Sequence, residues 1–359
     1  MQKAWGRSAV GSALQWHCRG RGFESLRLHQ MRGHGPRVFL NIIFLVSLVV
    51  LASTTFAVEF LSTTEHNVAA RLIELLDTAE QYVLTVSYSL DHQEVIDKLN
   101  ELFLSGVNVV AMIDASSSGR TVLCKPLFEV RADSSDGLMH AKLIVIDGKI
   151  AVFGTGNITQ SGLHRDSNTF LVFDDFDHVL LLEDYALALL EGKKLEMQKV
   201  PNGVFIMTPS EKGRQLFLNT ILKAKEEICF LSYAFTDTEL LALLKYKSAK
   251  GVSVRGIIDH WNNDFSTIAR YLNTGIMVTS PPDDMRIHDK TIIIDGRTVI
   301  TGSANHSFNA WQKNREVVAI IESADLATKY LAHFAYLWEV AQYGLKSWSC
   351  PDQYYSGGF

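Results

Sequence analysis

The sequence predicts an α/β protein built from two tandem, pseudo-symmetric lobes, each an α/β sandwich. The first observation is a repeat, because MHAKLIVIDG at residues 139–148 recurs as IHDKTIIIDG at residues 287–296. The second is that the flanking segments repeat as well, since VLTVSYSL at 83–90 matches ICFLSYAF at 228–235. The third is that apolar, β-branched runs alternate with helical patterns in both copies, which is typical of α/β folds. Together they indicate one duplicated unit rather than an array of many short repeats.

Length and composition agree with two globular domains. The chain has 359 residues, of which 47% are hydrophobic and 20% are charged. That length suits two domains of roughly 150 residues each, with enough apolar residues for two cores. We expect a leader at residues 1–57, a first lobe at 58–200 and a second lobe at 201–359.

The leader has the features of an export segment. Residues 1–30 show no helical or strand periodicity and are a doubtful part of the fold. From Met31, which is a plausible true start, two arginines precede an apolar run at 38–52 and a small-residue site at 55–57, as in a signal peptide. The protein is therefore expected to be exported, either periplasmic or secreted. The alternative is an uncleaved membrane anchor, although about 20 apolar residues are normally needed to span a bilayer.

Removing the leader changes the charge balance. It contains seven Lys or Arg and one Glu, a net charge of +6, so residues 58–359 carry −11 whereas the whole chain carries −5. Nucleic-acid binding depends on basic residues that neutralise phosphates. The charge therefore disfavours a general nucleic-acid surface, but it does not exclude a local basic pocket.

The elements of the first lobe follow from its patterns. The run 83–88 predicts a strand, and the helix after it places its apolar residues on one face: Val95, Ile96, Leu99, Leu102 and Phe103. Gly106 ends that helix, and VNVVAMI then predicts a buried strand. The run LIVI at 143–146 predicts a central strand, because continuous apolar runs are typical of strands buried on both faces. The second lobe repeats this order.

The repeated stretch carries polar side chains at a fixed spacing. Each copy has a histidine, a lysine two residues later, an aspartate before a glycine, and an asparagine 17 residues after the histidine. These residues are His140, Lys142, Asp147 and Asn157 in the first copy and His288, Lys290, Asp295 and Asn305 in the second. A single His-x-Lys pair at a strand entrance is usually a solvated edge, but two copies at the same spacing predict a functional role.

Two histidines in equivalent positions can divide one reaction. With an unperturbed pKa of ~6.5, imidazole can act as a nucleophile or as an acid near neutral pH. One ring would attack an electrophile to form a covalent intermediate, while the other would protonate the leaving group and later activate water. The lysines and the asparagine amides would supply the donors that a phosphoryl group needs.

The paired H-x-K-x4-D and G-x-x-N segments resemble the phospholipase D superfamily, the HKD enzymes, over nearly all of residues 58–359. The resemblance implies a phospholipase D-like fold with one active site in the cleft between the lobes, so that the chain is a pseudo-dimer. It also implies phosphodiester chemistry through phosphohistidine, with no metal and no cofactor. It makes His140 and His288 the nucleophile and the acid, and we assign the nucleophile to His140 by analogy with two-motif members. The predicted catalytic set is completed by Lys142, Lys290, Asp147 and Asp295.

Parts of this pattern leave alternatives open. Asp147 and Asp295 each end a strand before a glycine, where capping a turn is at least as consistent as catalysis. Asn157, Asn305 and Glu316 form the predicted substrate-binding set, in which Glu316 matches the family acid that orients a catalytic histidine. Its gapless counterpart in the first half is Asn168, with Asp166 two residues earlier. Which group orients one of the two imidazoles is therefore open.

The resemblance and the residues together predict an exported phospholipase D-type phosphodiesterase that hydrolyses phospholipid headgroups. Its partners would be a phospholipid or another phosphodiester and a membrane surface. The alternatives are an exported metal-independent nuclease and a phosphatidyltransferase of the cardiolipin-synthase kind. The net charge counts against the nuclease, and a single apolar segment counts against the synthase, for which the resemblance implies two anchoring helices. A non-catalytic binding module is disfavoured because both His, Lys and Asn sets are intact.

Overall fold

The computed structural model describes residues 58–261 and 275–343, so the predicted leader lies outside the described residues. The first half contains the following elements: β1 (Glu59–Ser62), α1 (Val68–Leu76), β2 (Tyr82–Val86), α2 (Gln93–Leu104), β3 (Asn108–Asp114), α3 (Ser118–Leu123), β4 (Glu129–Asp133), β5 (Leu143–Ile146), β6 (Ile150–Gly154), α4 (Gln160–His164), β7 (Asp166–Ser167), β8 (Thr169–Phe173) and α5 (Phe176–Leu190).

The second half continues with a closely similar order. Its elements are β9 (Gln198–Val200), β10 (Gly203–Met207), α6 (Glu211–Leu222), β11 (Glu227–Ser232), α7 (Thr238–Ala249), β12 (Ser253–Ile258), β13 (Met277–Thr279), β14 (Arg286–Ile287), β15 (Lys290–Ile294), β16 (Thr298–Gly302), α8 (Phe308–Gln312), β17 (Val317–Glu322) and α9 (Ala324–Tyr343).

Two large sheets share one strand order. Among the described residues, the first sheet runs β1-β8-β6-β5-β2-β3-β4 and the second runs β9-β10-β17-β16-β15-β11-β12-β13. The second order repeats the first after one additional strand, β9. The predicted α/β class with a duplicated unit is thus confirmed. The division of the chain at residue 200 stays a prediction, and the second sheet itself starts at Gln198.

The two motif strands lie in the middle of their sheets. β5 is hydrogen-bonded to β2 and β6, and β15 is hydrogen-bonded to β11 and β16. Every residue of both strands is buried. One hydrophobic cluster joins residues of both sheets with α5 and α9, while two further clusters pack α1 and α2 on the first sheet and α6 and α7 on the second. Burial on both faces explains the continuous apolar runs.

Helix α2 shows how well the periodicity predicts burial. Val95, Ile96, Leu99 and Leu102 are buried, as the pattern predicts, whereas Phe103 in the last turn is 41% exposed. Gly106 follows with a φ of +99°, a conformation that glycine adopts without strain, and it turns the chain into β3. Within the described ranges, no helix is both long enough and apolar enough to cross a bilayer.

Candidate active site

The segments that enter the two motif strands are each bound by the opposite half. The N–H of His140 donates to the carbonyl of Arg315 at 2.8 Å, and the N–H of His288 donates to the carbonyl of Ser167 at 2.9 Å. A short parallel pairing of β14 with β7 extends the second contact. The fold therefore carries both histidines to one junction between the halves.

His140 is oriented by a buried carboxylate from the second half. Its Nδ1 lies 2.8 Å from Oε2 of Glu316, which is fully buried. Asn314 donates from Nδ2 to the other carboxylate oxygen at 3.0 Å. Burial opposes ionisation of Glu316, yet His140 and Lys142 hold the pKa of its carboxyl below the ordinary value. Burial lowers the pKa of His140, and Glu316 acts in the opposite direction.

His288 is oriented by an amide from the first half. Its Nδ1 lies 2.9 Å from Oδ1 of Asn168. The same oxygen accepts a hydrogen bond from Thr155 at 2.9 Å, and the Asn168 amide group donates to the carbonyl of Gly162 at 3.0 Å. Burial, together with the charge of Lys290, holds the pKa of His288 well below its ordinary value.

These two contacts set the tautomers of the rings. A carboxylate is an acceptor only, and the Asn168 oxygen is fixed as an acceptor by its other bonds, so Nδ1 carries the proton in both histidines. In a neutral ring, Nε2 is then the basic nitrogen. Both imidazoles are therefore prepared to attack or to exchange a proton through Nε2.

The two motif lysines are buried beside the histidines. Lys142 and Lys290 are 2% and 3% exposed, and each donates from Nζ to the carbonyl of the histidine two residues earlier. Burial lowers the pKa of Lys142 to about 7, and burial together with Lys142 holds the pKa of Lys290 well below its ordinary value. Each lysine also lowers the pKa of the histidine in the other half. The four side chains thus form one electrostatic cluster that favours an arriving anion.

The predicted asparagines follow β6 and β16 at the motif end of each sheet. The Oδ1 atoms of Asn157 and Asn305 are buried, and neither has a hydrogen-bond partner among the described residues. Buried polar atoms are paired in most native proteins, so two unpaired atoms at equivalent positions are unusual.

Asp147 and Asp295 do not join this cluster. Asp147 accepts the backbone N–H groups of Glu80, Gln81 and Tyr82 at 2.7–2.9 Å. Asp295 accepts the equivalent three N–H groups of residues 225–227 at 2.8–3.0 Å. Both residues follow the motif strand at its far end with a φ near +50°, inside the turn. Their position fits the turn-capping alternative and corrects the prediction of direct catalysis.

Glu316 occupies the orienting position that the resemblance implies for it. It is completely buried and contacts His140, so its grouping with the substrate-binding residues is corrected. Asn168, the residue that aligns with Glu316, occupies the equivalent orienting position beside His288. The contact between Tyr233 and His288, with ring centroids 4.8 Å apart, was not foreseen.

The histidines that lack motif spacing have local partners. His164 lies 2.8 Å from His92, and His306 lies 2.8 Å from the hydroxyl of Ser232. Over the ranges 58–261 and 275–343, no group of three or more His, Cys, Asp or Glu is arranged to hold a metal ion.

Comparisons with known proteins agree with this geometry. Residues 72–188 and 217–338 match the family described as "Cardiolipin synthase, PLD-like domain". A phospholipase D of Rickettsia conorii is 31% identical over 165 residues, which cover 45% of this chain and 82% of that protein. Human mitochondrial cardiolipin hydrolase is 30% identical over 155 residues, 42% of this chain and 62% of that protein. The crystal structure of phosphatidylserine synthase from Haemophilus influenzae superposes with a TM-score of 0.63 at 13% identity, covering 79% of this chain and 86% of that one, and shares the fold.

Proposed function

This chain belongs to the phospholipase D-like family of phosphodiesterases, and from that premise we propose that it hydrolyses phospholipid headgroups through a phosphohistidine intermediate. The observation that carries the proposal is the crosswise pairing of His140 with Glu316 and of His288 with Asn168. In this pairing each half orients the histidine of the other half, as in a dimer formed within one chain. The two imidazoles are therefore held in place but have different electrostatic surroundings.

In the first half of the reaction, the phosphodiester anion is bound by the two lysines and by the amides of Asn157 and Asn305. Nε2 of His140 attacks phosphorus, and the bond from phosphorus to the headgroup oxygen breaks. His288, which is neutral in the free enzyme, takes up a proton from solvent as the phosphodiester anion binds beside it. It gives this Nε2 proton to the headgroup oxygen, so the headgroup leaves as a neutral alcohol. The attacking ring becomes cationic, and the Glu316 carboxylate stabilises this charge.

In the second half, a water molecule replaces the alcohol. His288 now accepts a proton from the water while the oxygen attacks phosphorus, and the bond between phosphorus and His140 breaks. The products are phosphatidic acid and an enzyme with the proton back on His288, which returns it to solvent when the product leaves. The same intermediate could be resolved by a second alcohol instead of water, and the match to a family described as cardiolipin synthase favours phosphatidyl transfer as the second candidate.

A phospholipid surface is the proposed partner. Residues 115–128 contain two basic residues, Arg120 and Lys125, and no acidic residue, although residues 58–359 carry −11. Val122, Leu123 and Leu127 in the same segment are 67%, 80% and 53% exposed. Exposed apolar side chains flanked by basic ones suit an anionic lipid surface. The overall negative charge argues against nucleic acid as the general substrate.

We also propose that the protein is exported and that residues 31–57, within the leader at 1–57, form the signal. These residues lie outside the described ranges, and the proposal rests on the basic, apolar and small-residue order of residues 31–57.

A direct assay tests the function. The purified protein would be incubated in EDTA with phosphatidylcholine, cardiolipin or single-stranded DNA, with His140→Ala and His288→Ala variants as controls. We expect phosphatidic acid from lipid in the wild type alone, and a phosphatidyl alcohol when glycerol is added if transfer occurs. Consumption of DNA but of no lipid would refute the lipid substrate.

A further inference from the structure

Asp289 lies between His288 and Lys290, where the first copy of the motif has Ala141, and the proposed reaction does not use it. Its side chain is fully buried. The carboxylate accepts hydrogen bonds from Ser167 at 2.6 Å and from Thr169 at 3.0 Å, one on each oxygen. Burying a carboxylate is costly unless it is paired, so this set of partners is specific.

The two hydroxyl donors lie on either side of Asn168. Side chains alternate along an extended segment, so Ser167 and Thr169 face Asp289 while the Asn168 amide faces His288. The carboxylate therefore holds the chain immediately before and immediately after the residue that orients the imidazole.

His333 of α9 supplies the compensating partner. Its Nε2 lies 3.2 Å from Oδ2 of Asp289, the oxygen that also accepts from Ser167, and its Nδ1 lies 3.2 Å from the hydroxyl of Thr64. Burial opposes ionisation of Asp289, but His333 and the two hydroxyls hold the pKa of its carboxyl below the ordinary value. The network joins four elements to the segment that carries Asp289: the segment after β1, the strands β7 and β8, and helix α9.

The first motif lacks this device. Ala141 and Val317, which occupy the positions equivalent to Asp289 and Thr169, belong to the central hydrophobic cluster. His140 has its carboxylate in direct contact, through Glu316. Each imidazole is thus served by one buried carboxylate, directly in one half and through a neighbouring segment in the other.

We propose that Asp289 is a positioning residue for the acid step: by holding Ser167 and Thr169 it fixes the Asn168 amide, which keeps the proton of His288 on Nδ1 and aims Nε2 at the leaving oxygen. The role of His288 as the acid rests on the proposed function, whereas the geometry of the network does not depend on it.

Three variants of the full chain test the proposal. Asp289→Asn retains the shape but has only one acceptor oxygen, so one of the two donating hydroxyls loses its acceptor and must turn. The double variant Ser167→Ala with Thr169→Val removes both donors while Asp289 stays, and it keeps the test open if Asp289→Asn fails to fold. Asp295→Asn is the matched control, because it changes an aspartate at the other end of the same strand that contacts only backbone N–H groups.

The first readout is the ratio of cleavage rates for a nitrophenyl and an alkyl phosphodiester. An activated leaving group needs little acid help, and acid help is worth ~10²–10⁴-fold. In both network variants we expect the rate of cleavage to fall about 10²-fold for the alkyl substrate and less than about 3-fold for the nitrophenyl substrate. In Asp295→Asn the ratio of the two rates should stay at the wild-type value. An equal loss for both substrates would show a merely structural role and overturn the proposal.

The second readout does not require activity. With ¹⁵N-labelled histidine, NMR should show His288 as a single Nδ1–H tautomer in the wild type and as a mixture in the network variants. An unchanged single tautomer in both variants would refute the positioning role. If the wild type cleaves neither phosphodiester, the proposed function fails, while the tautomer result still decides the role of Asp289.

Discussion

Replacing Glu316 by glutamine should inactivate the nucleophile, although the side chain keeps its size. The carboxylate uses one oxygen to accept from Asn314 at 3.0 Å and the other to accept from His140 at 2.8 Å. Glutamine offers one oxygen and one NH₂ group. Asn314 is itself held, because its Oδ1 accepts the backbone N–H of Leu138 at 3.2 Å. The Asn314 NH₂ group must therefore donate to the glutamine oxygen, and the glutamine NH₂ group then faces His140.

The consequence is a change of tautomer. An NH₂ donor beside Nδ1 requires that nitrogen to be unprotonated, so the proton moves to Nε2 and the nucleophilic lone pair of His140 is lost. The equivalent substitution in the Ser-His-Asp triad lowers turnover about 10⁴-fold, which corresponds to about 5.5 kcal/mol of barrier. We expect a loss of roughly 10³–10⁴-fold here, well beyond the ~1.5–3 kcal/mol of a hydrogen bond to a charged group.

A second substitution should reverse part of this loss. Asn314→Asp would accept from the glutamine NH₂ group, turn the glutamine oxygen towards His140 and restore the Nδ1–H tautomer. The assay is the rate of phosphoenzyme formation by rapid quench, with folding checked by thermal unfolding. The double variant should form the adduct at least ~10-fold faster than Glu316→Gln alone. A single variant within 10-fold of the wild type, or a double variant no faster than the single one, would refute the tautomer argument.

Three further predictions follow from the same geometry and from the leader. His288→Ala should form the phosphoenzyme ~10²–10⁴-fold more slowly from a substrate with an alkyl leaving group, and most of that rate should return with a nitrophenol leaving group. His140→Ala should form no adduct from either substrate. Trapping of labelled phosphoenzyme measures both variants, and the opposite pattern would exchange the two roles. Asp147→Ala should lower the free energy of unfolding by about 2–4 kcal/mol, because three backbone N–H groups lose a charged acceptor. These bonds hold the pKa of Asp147 below its ordinary value. Its contribution to the free energy of unfolding is therefore complete above the ordinary pKa and is lost as the pH falls through the lowered pKa of the folded state. Urea unfolding from pH 7 to pH 2 should show a difference between wild type and variant that shrinks in acid. N-terminal sequencing should show that the secreted protein begins near Val58, and recovery of an intact N-terminus from membranes would favour the anchor.

The sequence alone predicted the motif strands and their histidines because those features are local. A continuous apolar run after a His-x-Lys pair defines a central strand, and its repetition predicts two equivalent sites. The partners of the histidines are not local. Glu316 is 28 residues from His288 but 176 residues from His140, the histidine that it contacts, so separation along the chain does not indicate its partner. Only the pairing of the entrance segments with the opposite half brings Glu316 to His140.

The motif aspartates show a different limit. Spacing establishes that Asp147 and Asp295 recur with the histidines, but a recurring turn and a recurring catalytic group produce the same spacing. The distinction depends on backbone geometry: a φ of +52° and +51°, and three N–H groups converging on each carboxylate. These contacts give each aspartate a structural part as the acceptor that closes the turn, although it belongs to the motif.

The two halves differ in the group that orients each histidine, and this difference suits the two rings to different roles in the proposed reaction. A symmetric duplicate would place the same group beside each imidazole and would leave both rings with the same basicity. Here an ionised carboxylate faces His140 and a neutral amide faces His288. The carboxylate stabilises the positive charge that develops when a ring bonds to phosphorus, whereas the amide leaves its protonated ring the stronger acid towards a leaving oxygen. In the proposed mechanism, Asn168 in place of an acid therefore distinguishes the ring that donates the proton from the ring that attacks phosphorus. Because each orienting group comes from the opposite half, neither lobe alone contains a histidine together with the group that orients it.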